Sequence, residues 1–249
     1  MKLLLINPNT SEHVSARMLS AAQASLGRHA QVVAVTGVRG PAVVGSRTEN
    51  TLAAAHAVEL AAEHAKNVDA VVLGISTDAG LAALRELLHV PVTGMLEAAL
   101  MSAAQLGSRI GLLTLGQRML PLYQEQVQAY AMGARMVAWC GATLPALYSP
   151  NPGPEAIDLL CEQALAMVDQ NDLDVLILSG AVLAGYRDIV AQRLPVPLVD
   201  GTEAACWQAF ALAQMKPGVH ARGSYATPSQ RKLTAMGQAM QDLIGLSEG

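Results

Sequence analysis

The chain has 249 residues, 52% hydrophobic and 14% charged, which allows one large or two small globular domains with well-filled cores. A net charge of −4 and scattered Lys and Arg with no basic run argue against a nucleic-acid partner. No uninterrupted apolar run reaches the length of a membrane span, and the opening run Leu3–Ile6 is cut off by Asn7-Pro8-Asn9, too soon for a signal segment.

Residues 2–6 fit a strand buried on both faces. Asn7-Pro8-Asn9-Thr10-Ser11 reads as a turn with a helix N-cap, and a helix is expected over 12–26. A strand at 31–36 leads into a loop from Gly37 to Asn50, long for such a connector and therefore expected to be functional. An Ala-rich helix (51–66), a strand (69–74), a helix from Asp78 to about 88 and a short strand (90–92) follow. The pattern then restarts. It gives a helix at 95–106, a strand at 109–114, a turn at 115–117 and a helix from Pro121 to about 131. A strand at 135–140 and a Pro-rich loop at 145–154 come next, then a helix at 155–169, a strand at 174–179, a helix at 186–193 and a strand at 196–198. Residues from 207 on read as a tail, with a loop at 218–229 and a closing helix at 230–245 packed on the first domain.

The second half repeats the first. Asp69 and Asp174 are 105 apart (174 − 69), as are Gly80 and Gly185 (185 − 80), while Glu97 and Glu203 are 106 apart (203 − 97). Strand–helix alternation implies parallel sheets with right-handed crossovers. The expected fold is α/β, with two pseudo-symmetric doubly wound parallel-sheet domains and the active-site cleft between them. The first domain would comprise 1–97 plus 207–249, and the second 98–206. Ligands in such sheets sit beyond the carboxyl ends of the strands. Here those ends are Asn7–Thr10, Gly74–Asp78, Thr114–Gln117 and Ser179–Ala181, which would face one another across the cleft.

Cys140, Cys161 and Cys206 are far apart, so neither a thiolate metal site nor a redox pair is expected. An odd cysteine count fits a reducing cytoplasm, and each thiol reads as a small buried hydrophobe. No His is placed at a strand end. His13 is expected to face solvent on the first helix, and His29, His56, His64, His89 and His220 read as surface residues.

Ile6-Asn7-Pro8-Asn9-Thr10-Ser11 resembles the opening of the aspartate/glutamate/hydantoin racemase superfamily, in its hydantoin and allantoin branch. Gly40-Pro41 with Glu49, Asp78-Ala79-Gly80-Leu81, Thr114, Val199-Asp200-Gly201 and Gly223-Ser224-Tyr225-Ala226 fall where that branch would place them, so the resemblance covers essentially the whole chain. It implies a cofactor-free enzyme in which one thiolate removes a Cα proton and a second thiol returns one on the opposite face. It places those two cysteines at Ile75 and Gly180, again 105 apart (180 − 75), and this chain has neither. Arylmalonate decarboxylases, in the same superfamily, resemble the Gly74-Ile75-Ser76 turn but keep the second cysteine.

The candidate catalytic residues are therefore Ser76, Asp78 and Ser179. Ser76 and Thr77 can hold a carboxylate or a developing oxyanion with hydroxyls and backbone N–H groups, or cap the next helix together with Asp78. Asp78 is the best remaining acid/base, and Ser179 would need a base to act as a nucleophile. Asn9, Thr77, Thr114, Gly180 and Ala181 are the expected substrate-binding positions. Three functions stay open: a superfamily enzyme with altered chemistry (isomerase, decarboxylase or ring-opening hydrolase) on a small carboxylate or cyclic amide, a racemase using non-cysteine groups, and a non-catalytic binding relative. A small-molecule substrate, no metal or cofactor, no nucleic-acid or membrane partner, a homo-oligomer and a cytoplasmic location complete the expectations.

Overall fold

The computed structural model describes residues 1–229, 233–234 and 236–244. Strands β1 (Lys2–Asn7), β2 (Gln31–Thr36), β3 (Ala70–Leu73) and β4 (Val92–Gly94) form a parallel four-stranded sheet in the order β2-β1-β3-β4. Strands β5 (Ile110–Leu115), β6 (Met136–Ala142), β7 (Val175–Leu178) and β8 (Leu198–Asp200) form a second, in the matching order β6-β5-β7-β8. Every residue of β3, β5 and β7 is buried. Helices cover both faces of these strands, so a continuous apolar run suits them, whereas β2 and β6 at the edges are partly open.

The repeated residues explain themselves as scaffold. Asp69 accepts the backbone N–H of Lys2 at 2.6 Å, and Asp174 accepts those of Ser108 and Arg109 at 2.7 and 2.8 Å. Each aspartate thus pins the start of the first strand of its half. Gly80 and Gly185 both hold left-handed backbone, at φ 93° and 84°, where a Cβ is penalised. Register sharpens the match. Leu73 lies opposite Ile6 and Leu178 opposite Leu113, so the third strands correspond at 105 (178 − 73) and the first strands at 107 (113 − 6). Asn7 therefore corresponds to Thr114, and both are buried at the strand end.

The helices are α1 (Glu12–Leu26), α2 (Arg47–His64), α3 (Leu81–Leu87), α4 (Met95–Leu106), α5 (Leu120–Ala129), α6 (Pro154–Asn171), α7 (Arg187–Ala191), α8 (Gly201–Met215) and α9 (Gln238–Ile244). Two of them change sides. α4 follows the first sheet, yet its Leu96, Ala99 and Leu100 pack with Ile110, Leu112 and Ile177 of the second. α8 follows the second sheet and packs on β3, β4 and β1 of the first, and on α4 itself. Leu3, Leu5, Leu113 and Cys206 consequently share one core.

Several boundaries differ from the sequence reading for local reasons. β4 and β8 begin just after Pro91 and Pro197, which have no N–H to give, although their carbonyls still accept from Val71 and Leu176. α2 begins at Arg47 because Ser46 and Glu49 form a capping box. The Ser46 Oγ accepts the Glu49 N–H at 3.3 Å and donates to its carboxylate at 2.9 Å. α8 runs unbroken through Trp207 to Met215, so residues 207–215 continue a helix. α9 rests on α2, and positions 230–232, 235 and 245 of the expected closing helix lie outside the described residues. Among the described residues, no helix is long and apolar enough to cross a membrane.

Candidate active site

In each sheet the strand order reverses between the first and third strands, which opens a crevice at their carboxyl ends. The two crevices face each other around one cavity of about 70 Å³. Asn9 and Gly74-Ile75-Ser76-Thr77 line it from the first half, and Thr114-Leu115 and Gly180-Ala181-Val182 from the second. Val43 and Val44, from the long loop after β2, and Tyr148, from the loop after β6, help to enclose it. At about 70 Å³, the volume is far below the roughly 300–1,000 Å³ of drug-sized sites. Asp, Glu, Lys, Arg and His are absent from the lining among the described residues.

A hydroxyl cluster forms one wall. Tyr123 projects from α5, is 2% exposed, and places its hydroxyl 2.5 Å from the Ser76 Oγ. Thr114 donates to the same oxygen at 3.3 Å, and the Ser179 side chain lies close enough to pull on its titration. Burial pushes the phenol pKa up, against the pull of the three hydroxyls, so Tyr123 stays protonated and can donate. Ser179 is buried at 2% and sits behind the lining, not in it. Among the described residues, the N–H groups of Ile75, Ser76 and Thr77 take no backbone partner. They are therefore free to meet an oxyanion.

Tyr123 was missed by the sequence reading. Its spacing with Leu122 and Val127 on α5 reads as ordinary core. The available signal was compositional: the chain has five Tyr and one Phe, and a buried Tyr must satisfy its hydroxyl.

The other candidates are placed as follows. The Asn9 Oδ1 accepts from the Ser11 N–H at 2.9 Å and from the Asn7 amide at 3.0 Å, which leaves its own amide nitrogen to offer a ligand. The Thr77 hydroxyl donates to Asn50 Oδ1, on the first turn of α2, at 2.5 Å. Gly180 holds φ 144°, and a Cβ added there would meet Leu183 and Thr114 no closer than 3.6 Å. Space exists at that position, but the backbone conformation favours glycine. Ala181 lines the cavity beside it.

Asp78 is not where the sequence reading put it. It does not line the cavity. Its carboxylate caps α4, accepting the N–H groups of Leu96 and Glu97 at 3.0 and 2.7 Å and the Tyr130 hydroxyl at 2.9 Å. The shared capping of the following helix expected for Ser76, Thr77 and Asp78 gives way to capping of a helix further along the chain. Two histidines also differ from expectation. His56 is only 7% exposed, its Nδ1 lying 3.1 Å from the Pro8 carbonyl behind the Asn9 turn. His13 is half-buried, with Nε2 3.1 Å from the Tyr148 carbonyl. The three cysteines lie outside the cavity. Burial raises their thiol pKa values, that of Cys206 to about 12.

Arg17 on α1 ties the far wall together. Its guanidinium donates to the carbonyl of Val182 at 2.6 Å, of Ser149 at 3.1 Å and of Pro150 at 3.2 Å, and it lies over the Tyr186 ring. Arg17→Ala is expected to lower stability by about 2 kcal/mol and to expose the 145–153 loop to protease. Unchanged denaturant and proteolysis profiles would show that Arg17 does not brace the loop.

Two parallel α/β halves face each other across a small cavity at the carboxyl ends of their strands. The sequence profile of the Asp/Glu/Hydantoin racemase family matches residues 3–209, and the chain belongs to that family. The hydantoin racemase of Paenarthrobacter aurescens is 26% identical over 234 residues, covering 93% of this chain and 99% of that protein. Allantoin racemase from Klebsiella pneumoniae superposes with a TM-score of 0.91 at 24% identity, covering 96% of this chain and 98% of that one. Allantoin racemase from Pseudomonas fluorescens gives a TM-score of 0.88 at 26% identity, with 94% and 100% covered.

Proposed function

We propose that the protein is a cofactor-free enzyme acting on a small hydantoin-like cyclic amide, with chemistry altered from two-thiol racemisation. The observation that carries this reading is the uncharged, thiol-free cavity with its buried hydroxyl cluster. A free amino acid brings an ammonium and a carboxylate, and burying them without countercharges costs heavily. A neutral ring brings only carbonyls and N–H groups. The same argument disfavours decarboxylation of a free acid and favours isomerisation or ring opening. Negative charge developing on a ring carbonyl would be met by the N–H groups of Ile75, Ser76 and Thr77 and by the Ser76 and Tyr123 hydroxyls. In ring opening, a bound water attacks the ring carbonyl, the carbonyl–nitrogen bond breaks, and the Ser76–Tyr123 pair would relay the proton that water loses to the departing ring nitrogen.

A second reading, racemisation with non-cysteine acid/base groups, is favoured by membership of the racemase family and by the hydantoin and allantoin racemases among the relatives. Three free, separate cysteines support a reducing, cytoplasmic setting.

The test is incubation with 5-substituted hydantoins and allantoin in D₂O, following Cα deuteration, optical rotation and ring opening together. Ring opening, or isomerisation without loss of chirality, lost in Ser76→Ala, supports the first reading. Deuteration with racemisation supports the second. Ligand-induced thermal stabilisation with no turnover defeats both and leaves a binding relative.

A further inference from the structure

Two rungs join α5 to the 74–80 turn of the other half. Tyr123 meets Ser76, and Tyr130 donates to Asp78. The spacing lets the rungs act together. Ser76 and Asp78 are two apart in one turn (78 − 76), and Tyr123 and Tyr130 are seven apart (130 − 123), about two helical turns and so on one face. Only the Ser76–Tyr123 rung reaches the cavity.

The outer rung ends on a fixed point. Asp78 is 4% exposed, holds left-handed backbone at φ 55°, and is locked by two N–H groups of α4. A Cβ at Gly94 would stand 2.4 Å from the Asp78 Cγ, so glycine there is what lets the carboxylate seat itself. Tyr130, at the end of α5, is therefore held to a group that cannot drift.

We propose that Tyr130 is a positioning residue: its hydroxyl, donating to Asp78, sets the register of α5 against the 74–80 turn and so fixes the Ser76–Tyr123 contact at the cavity wall. The proposal rests on the reading that this contact carries the chemistry. An oxygen–oxygen contact tolerates only a few tenths of an ångström, and misplacement by about 1 Å costs on the order of 10²-fold in rate.

The groups facing Asp78 are Glu97 on α4, Tyr130 and Tyr123 on α5 and, paired with Glu97, Arg85 on α3. Burial raises the Asp78 pKa to about 6, while the N–H groups of Glu97 and Leu96 and the Tyr130 hydroxyl pull it down. Removing that hydroxyl therefore moves the Asp78 titration to higher pH.

Tyr130→Phe keeps the ring and removes the donor. Amide hydrogen exchange, measured across pH in the full chain, is expected to quicken at Gly74, Asp78 and Leu81, whose N–H groups are bonded, and in residues 120–129, while β5 and β7 keep their protection. The pH midpoint of exchange in the 74–80 turn should rise relative to the parent. Turnover of a hydantoin is expected to fall about tenfold in kcat, with KM little changed. Unchanged exchange with an unchanged midpoint would overturn the proposal, as would uniform loss of protection through β5 and β7, which marks a purely structural role. If the parent turns over no hydantoin, the functional reading fails, and exchange and midpoint still decide the role of Tyr130.

Discussion

Tyr123→Phe is expected to cut kcat by about 100-fold while KM and the fold stay close to the parent. Removing one donor from a preorganised oxyanion site typically costs about 10²–10³ in kcat. The Tyr123 hydroxyl is placed for that role, 2% exposed and in contact with Ser76, Thr114 and Ser179. It is held protonated by burial. The substitution keeps the ring, which packs with Leu122 and Val127 in the α5 core. The three remaining hydroxyls can bond to one another or to water, so little unsatisfied polarity is left behind. Under the proposed function, steady-state kinetics on 5-substituted hydantoins, with a melting curve, check this. A variant with parental kcat would remove Tyr123 from the chemistry. A collapsed melting temperature would show that its hydroxyl is structural.

The second large effect concerns pH. The chain is expected to become more stable as pH falls from about 8 to about 5. Two buried carboxylates cause this, Asp78 at 4% and Asp200 at 3% exposure. Asp200 caps α8, accepting the N–H groups of Thr202 and Glu203 at 2.8 and 3.0 Å. Desolvation raises Asp78 from 3.8 to about 6 and Asp200 from 3.8 to about 7, more than the N–H donors lower them. A folded-state pKa above the unfolded one means that the native state binds the proton more tightly. The stability from that proton is fully present below about pH 4 and is lost as pH rises through about 6 and then about 7. Each tenfold gain in proton affinity on folding is worth about 1.4 kcal/mol, so the two groups together contribute several kcal/mol. Asp200→Asn keeps a capping side chain without the charge. It should flatten the profile and raise the melting temperature at pH 8. A parent whose stability falls steadily from pH 8 to pH 5 would contradict this account.

Most of the fold is written locally. The apolar runs at Leu3–Ile6, Val71–Leu73 and Val175–Leu178 announce strands buried on both faces, and the 105-residue spacing announces the second sheet. The location of the cavity then follows from topology, because crevices open where strand order reverses. What could not be read depends on partners distant in sequence. Asp78 looked like an acid beside the cleft, but its fate was decided by α4, 18 residues on, and by Tyr130, 52 residues on. Tyr123 was no candidate at all, because only its contact with Ser76, 47 residues earlier, sets it apart from the core. His56 stands on an Ala-rich helix whose sequence does not say which face is covered, and it meets Pro8, 48 residues away. The capping box at Ser46 and Glu49 was legible in principle, and it accounts for the earlier start of α2.

The exchange of α4 and α8 between the sheets has a consequence for the order in which the protein assembles. The second sheet receives its covering helix α4 from the chain just before it. The first sheet, complete at Gly94, must wait for α8, which begins 107 residues later (201 − 94). At ordinary rates of synthesis that interval is roughly 5–20 s. Through it, the face carrying Leu3, Leu5 and Val72 is covered by Val14, Met18 and Leu26 of α1 alone and still lacks α8. The half that is made first is thus finished last, and neither half is a unit that can be cut free and expected to fold.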